Sequence, residues 1–336
     1  MMPFLVPSVL VSLLTLSAAL DPSLDTAWED WKSLHRKAYL EEGEDVSRRA
    51  IWEDNLRMIE QHNWEASLGK HTYWLGMNHF GDLAGPSPPP PRFTGGAEAS
   101  ARQGEQKREA WRPNSASFYQ TDEEFNQRMS CLLPNQVGPA GGNGECGSCW
   151  AFSATGALEG LYFKKTGRRV SFSEQNLMDC SWDQGNHACQ GGLPILAFEY
   201  VQQNGGLNSE KDYPYKGQER TCHYHSRNGD VKCTSFVKVE KGDLARAVAK
   251  VGPISVGIDV RSGKFRLYKS GIFSCTWEGD VLNHAMLVVG YGEEKGKKYW
   301  ILKNSWSELW GESGYTRLEE GSRECGIADD AIYPKW

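Results

Sequence analysis

The chain has 336 residues, 37 Lys and Arg against 43 Asp and Glu, and a formal net charge of −6. At 39% hydrophobic residues it can bury a substantial core and still carry a separate N-terminal segment. The acidic balance, with no Lys/Arg block, excludes a nucleic-acid partner or an anionic membrane surface, since either needs a concentrated basic face.

Residues 4–20 form an apolar run that stops at Asp21, with Ser17, Ala18 and Ala19 where a signal peptidase could cut. Residues 1–20 therefore read as a signal peptide. Pro7 interrupts the run, and 17 residues fall short of the roughly 20 that a spanning helix needs. No later stretch is apolar for long enough, so no membrane span is expected. Nine cysteines on a secretory route imply disulfides, and the odd count implies at least one unpaired thiol.

Residues 25–63 are charged, Trp-bearing and free of proline, which predicts two helices broken near Gly43. Glu44, Arg48, Trp52, Asn55, Ile59 and Asn63 fall at helical spacing on one stripe, and four of the six are polar. Polar groups on an inward stripe require specific partners. This helical unit covers residues 21–83. Residues 84–134, with Pro86, Pro88, Pro89, Pro90 and Pro91 followed by polar and charged residues, read as a Pro-rich, polar insert and the remainder of the propeptide. Residues 135–336 read as a compact unit, helical over about 135–233 and strand-rich over about 234–336. A helix is predicted over 149–165, capped by Ser148 and ended by Gly167, and another over 193–203. Strands are predicted where Ile254, Val256, Ile258 and Val260 alternate, and around Trp300 and Leu302.

Cys146-Gly-Ser-Cys149-Trp150 precedes the first of those helices and places the Cys149 thiol at the positive end of a helix dipole, which favours a thiolate. A base is available 135 residues downstream in His284, at the start of an apolar strand. Asn304 follows 20 residues later, at a strand end, with Trp306 beyond it. Taken singly these residues have plainer readings. A Cys-x-x-Cys is often a redox pair or half a zinc site, a histidine on an apolar strand is usually a satisfied core residue, and a strand-end asparagine is usually a turn former. The chain has no second Cys-x-x-Cys to complete a zinc site, and no strand immediately precedes the first one. No metal or other cofactor is expected.

Taken together, Cys-Gly-Ser-Cys-Trp-Ala-Phe-Ser at 146–153, Asn-His-Ala at 283–285, Val-Gly-Tyr-Gly at 289–292 and Lys-Asn-Ser-Trp at 303–306 resemble the papain family of cysteine proteases, within it the cathepsin L subgroup. The stripe from Glu44 to Asn63 resembles that subgroup's propeptide helix motif, and Gly76-x-Asn78-x-Phe80-x-Asp82 its second. The similarity covers most of residues 25–82 and nearly all of 143–336. It implies an α+β fold of two domains, helical left and β-barrel-like right, behind a helical inhibitory propeptide. It also implies a zymogen that hydrolyses peptide bonds with Cys149 as nucleophile, His284 as proton carrier, Asn304 orienting it, and Trp306 covering the pair. Asn143, six residues before Cys149, would supply the oxyanion amide. The implied disulfides are Cys146–Cys189, Cys180–Cys222 and Cys275–Cys325, leaving Cys131, Cys233 and Cys149 free. Gly191 and Gly192 would lie along the substrate, and Leu193, Pro194, Gly257 and Ala285 would line the pocket for the residue two before the scissile bond, floored by Asp330. A carboxylate on that floor would favour Arg or Lys beside apolar residues. Expected partners are protein and peptide substrates, the chain's own propeptide and cystatin-like inhibitors, on a monomer that is lysosomal or secreted. No Asn-x-Ser/Thr sequon is present.

Several positions depart from the family pattern. Asn143 stands where relatives have the longer Gln, and Ser307 where they have Gly after the tryptophan. The segment between Leu133-Pro134 and Gly138 is shortened, and the Pro-rich insert separates motifs that are nearly contiguous in relatives. These departures support an alternative, a catalytically impaired relative that acts as a binding protein or protease inhibitor through its pro-segment.

Overall fold

A computed structural model describes residues 20–84, 146–226, 231–275, 282–321 and 325–336. The leader over 1–19, the insert, Cys131 and Asn143 lie outside the described residues.

The pro-segment begins with α1 (Asp25–Leu34) and α2 (Glu42–Ser67). The break expected at Gly43 falls earlier, over 35–41, where Arg36 takes a left-handed φ of 50°, and Gly43 sits inside the first turn of α2. Trp28, Trp31 and Trp52 pack together as a small core between the two helices. The polar stripe divides. Asn55 donates through Nδ2 to the carbonyls of Gly81 and Leu83, and Asn63 exchanges two hydrogen bonds of 2.9 Å with the backbone of Leu75. Glu44 and Arg48 pair with each other at the exposed end.

After α2 the chain forms β1 (Tyr73–Leu75), which adds antiparallel to β4 (Tyr268–Phe273). Gly271 makes this joint possible. Its φ is +96°, and a Cβ there would stand 2.4 Å from the Thr72 carbonyl oxygen. The remaining strands are β2 (Ser235–Lys238), β3 (Ile254–Ile258), β5 (His284–Glu294), β6 (Lys297–Lys303), β7 (Tyr315–Glu319) and β8 (Ala331–Lys335), giving the sheet order β1-β4-β7-β6-β5-β3-β8-β2.

The helical half comprises α3 (Cys149–Thr166), α4 (Glu174–Cys180) and α5 (Pro194–Asn204), around a core of its own that includes Trp150, Leu158, Phe172 and Phe198. Gly167 ends α3 in a left-handed turn at φ +70°, its N–H on the Phe163 carbonyl. The strand-rich half carries the short helices α6 (Leu244–Val251) and α7 (Gly263–Arg266) and a second core.

Residues Trp150 to Glu159 of α3 are all buried, because this helix runs between the two halves. Ser153 and Gly156 set how closely it meets the sheet. The Ser153 hydroxyl donates to the Met286 carbonyl at 2.7 Å and lies 2.6 Å from the Ser255 hydroxyl, while a Cβ on Gly156 would meet Leu287 at 2.6 Å. Cys149, Ser153 and Gly156 share one helix face, so the contact that joins the halves also aims Cys149 at β5. The alternation expected through residue 260 ends at Ile258, and every residue of β3 is buried. Ser255, which should face solvent in a one-sided sheet, is covered by α3.

Candidate active site

The chain enters α3 through Gly147, whose N–H donates to the Cys189 carbonyl at 2.8 Å beside the Cys146–Cys189 disulfide. Cys180–Cys222 and Cys275–Cys325 are the other two disulfides, as the resemblance implies. Ser148 holds the N-cap position and its carbonyl accepts from Ala151 and Phe152, but its hydroxyl does not cap the helix. The hydroxyl lies 2.7 Å from Tyr215 Oη instead. Among the described residues the free thiols are Cys149 and the buried Cys233, which burial pushes up to about 11.

Across from α3, His284 opens β5 and is buried. Its Nε2 donates to Asn304 Oδ1 at 2.8 Å in the tautomer this bond selects, and Asn304 Oδ1 also accepts from Ser305 N–H. The Trp306 ring lies 4.8 Å from the imidazole and screens that bond from water. With Nε2 occupied, Nδ1 is the edge left for a second partner. The Ala285 N–H is directed at the Cys149 sulfur, which places the thiol beside the start of β5.

Burial acts on both groups against charge. It pushes the Cys149 thiol up, outweighing the hydrogen bonds from the Ala285 and Trp150 N–H groups that favour the thiolate. Burial therefore opposes the thiolate that the helix terminus favours, and the charged form depends on a partner beside it. Burial also lowers His284 to about 4, with the Asn304 bond opposing it. An isolated charge is disfavoured at either group, so proton movement from Sγ to the imidazole creates both charges together, each offsetting the other.

The loop facing this pair from the helical half is tied to Trp150, whose Nε1 donates to the Ala188 carbonyl at 3.2 Å. Gly191 has φ +115°, and a Cβ on Gly192 would stand 2.7 Å from the Trp150 ring and 2.4 Å from Asn186 Oδ1. Packing on Trp150 accounts for Gly192. Leu193 N–H donates to Asn186 Oδ1, and Pro194 begins α5. On the far strand, Gly257 pairs with Ala285, and its missing side chain leaves room for Leu282 and for Asp330, which would approach a Cβ within 2.9 and 3.3 Å. Leu282 is a neighbour of Gly257 that sequence reasoning missed, although an apolar residue two before the histidine was there to be read. Burial raises the Asp330 carboxyl, opposed by the charge of Lys238 and reinforced by that of Asp329.

The last described residues of the pro-segment pack beside this site. Asn78 Nδ2 donates to the Arg266 carbonyl at 2.8 Å, and the Phe80 ring meets Trp306 edge-on at 5.1 Å. Asp82 is buried with Lys37 Nζ at 2.9 Å and Tyr39 Oη at 2.7 Å. Next to Trp306, Ser307 adopts φ +67°, a conformation that suits the glycine of the family pattern. Ser307→Gly is expected to stabilise the protein by about 0.5–1 kcal/mol, read as a rise of about 1–3 °C in Tm by scanning calorimetry.

Both parts of the chain match known proteins. Residues 122–335 match the papain family cysteine protease domain, and residues 28–84 match the cathepsin propeptide inhibitor domain. The chain is 43% identical to cathepsin K of Mus musculus over 336 residues, covering 95% of this chain and 96% of that protein. It is 44% identical to testin-2 of Mus musculus over 323 residues, covering 94% and 93% respectively. Among solved structures, the digestive procathepsin L 3 of the Tenebrio molitor larval midgut superposes with a TM-score of 0.72 at 32% identity, covering 94% of this chain and all of that one. Matches of this extent to both parts show that the chain belongs to the papain family of cysteine proteases, as an endopeptidase that carries its own inhibitor propeptide.

Proposed function

We propose that Cys149, His284 and Asn304 are the hydrolytic unit of this endopeptidase. The observation that carries the assignment is the bond from His284 Nε2 to Asn304, which leaves Nδ1 for a thiol held at the adjacent Ala285 N–H. Cys149 passes its proton to Nδ1 as Sγ attacks the peptide carbonyl. The imidazolium then returns the proton to the departing amine, and water cleaves the resulting thioester with His284 as base. The Cys149 N–H is one donor to the tetrahedral oxyanion. Asn143 is assigned as the second, and its shorter reach weakens it. Losing such a donor lowers turnover by about 10²- to 10³-fold. An epoxide directed at active-site thiols tests the assignment at pH 5. Labelling at Cys149, with loss of peptide cleavage, supports it; folded protein that takes no label supports the binding-protein alternative.

The pocket formed by Gly257, Ala285, Leu282 and Asp330 is proposed to receive the substrate residue two before the scissile bond, with Leu193 and Pro194 on its opposite wall and Gly191 and Gly192 beside the peptide backbone. It accepts apolar side chains on Leu282 and basic ones on Asp330. Because burial raises the Asp330 carboxyl, the basic preference fades at low pH. Asp330→Ala is expected to lower cleavage after an Arg at that position about tenfold relative to Leu, in a peptide library at pH 6. An unchanged Arg-to-Leu ratio would remove Asp330 from the pocket. The apolar leader and three disulfides support synthesis on the secretory route, for lysosomal or extracellular proteolysis.

A further inference from the structure

His284 divides the site into two sides, because β5 lies between β6 and β3. Gly257 on β3 and Asp330 before β8 stand on one side, which the proposed pocket assigns to the acyl half of the substrate. Asn304 and Trp306 follow β6 on the other, where the leaving half must run. On that leaving side stand Trp306, the buried Phe265 ring packed 5.8 Å from it, and Arg266 at the end of α7. Two donors fix the Arg266 backbone, since its carbonyl accepts from Asn78 Nδ2 and from Trp310 Nε1 at 3.1 Å. In the precursor its side chain is only 8% exposed and donates from Nη2 to the main-chain carbonyl of Ala84 at 3.0 Å. The stretch from Asn78 to Ala84 thus covers this side, with Phe80 on Trp306, and leaves it when the pro-segment is removed.

We propose that Arg266 is a specificity-determining residue on the leaving-group side, where it selects substrates that carry a carboxylate within the first two residues after the scissile bond. The Nη2 group that donates to the Ala84 carbonyl in the precursor is one of several guanidinium donors, and a guanidinium can bind a carboxylate with two parallel, charge-assisted hydrogen bonds, a stronger arrangement. Trp306 and Phe265 supply a low-dielectric flank that lessens solvent screening of that pair. One guanidinium thereby serves first to seat the pro-segment and then to read the substrate. Nothing in the sequence around Gly263-Lys-Phe-Arg266 signals this, because the residue becomes part of the site only through the turn between α7 and β4.

The proposal rests on the catalytic assignment above, and the test separates the two. The full chain is expressed as the precursor, activated in acid, and assayed at pH 6 on quenched fluorescent peptides that share one acyl half. Their leaving halves carry Glu, Gln or Lys at the first or second position; a further pair ends two residues after the scissile bond in a free carboxylate or a carboxamide. Wild-type protein is expected to cleave Glu peptides about tenfold faster in kcat/KM than Gln peptides. The preference should weaken as salt rises and vanish below about pH 4, where the substrate carboxyl is protonated. Arg266→Gln should abolish the Glu-to-Gln ratio, Arg266→Lys keep part of it, and Arg266→Glu invert it toward Lys. A gain for the free carboxylate over the carboxamide identifies a chain end as a second source of the same group. Cleavage of all peptides with a wild-type Glu-to-Gln ratio within twofold of one overturns the proposal whether or not the variants fold. So does a ratio that survives in Arg266→Gln. Absence of any cleavage instead overturns the catalytic assignment.

Discussion

Replacing Cys149 by serine is expected to lower kcat/KM by about 10⁵- to 10⁶-fold while leaving the fold intact. The exchange changes one atom at the first turn of α3, and the hydroxyl fits where the thiol did. What changes is the proton transfer. Burial lowers His284 to about 4, so its charged form is favoured when a negative charge stands beside it. A serine hydroxyl is far less acidic than a thiol and forms that charge pair with the imidazole far less readily. His284→Ala removes the acceptor and should cost a similar factor. The double variant should be little worse than either single one, since neither group works without the other. Asn304→Ala should cost less, because Asn304 orients His284 and carries no proton. Single-turnover cleavage of a fluorogenic peptide, with Tm measured alongside, checks the series. A Cys149→Ser protein within tenfold of wild type would place the nucleophile elsewhere.

The elements whose ends are set by local chemistry were legible in the sequence. Gly167 marks the end of α3 because few residues other than glycine reach φ +70° without strain, and His284 opens β5 where the apolar run begins. What escaped depends on tertiary contact. Gly43 looked like a helix break, yet α2 runs through it, because the turn is made by the preceding residues and their packing around the tryptophan core. Ser148 looked like a side-chain cap, but Tyr215 from the far side of the helical half competes for its hydroxyl. Gly192 has a second reason to be glycine that only the fold reveals, since a Cβ there would meet the Trp150 ring beneath it. The charge state of Cys149 illustrates the same limit. The dipole can be read from the sequence, but the burial that opposes it depends on where β5 lies.

His79→Phe is expected to slow autoprocessing at pH 4.5 by about 10- to 100-fold and to move its pH midpoint downward, with no change near pH 7. His79 sits between two of the contacts that hold the pro-segment to the enzyme, Asn78 on the Arg266 carbonyl and Phe80 on Trp306. His79 is 2% exposed, its ring lies tilted against Phe80 with centroids 3.9 Å apart, and it has no hydrogen-bond partner at either nitrogen among the described residues. Burial lowers it from the usual 6.5 to about 3; His35 and Lys37 add to that shift and Asp82 opposes it. Because the folded value lies below the unfolded one, the neutral ring's contribution is complete above about pH 6.5 and is lost as pH falls toward 3. At pH 4.5 the released segment binds a proton that the docked segment cannot, which weakens docking by about 2–3 kcal/mol. Phenylalanine keeps the ring and its packing but binds no proton, so its docked state should hold where that of the wild type loosens. The neighbouring Asp82 pairs with Lys37 and Tyr39 and survives the exchange, which leaves His79 as the only titrating group altered. Following precursor loss on gels from pH 7 to 4 decides the matter. A His79→Phe profile that overlays the wild type would assign the acid response to other groups, with the buried Asp82–Lys37 pair first among them.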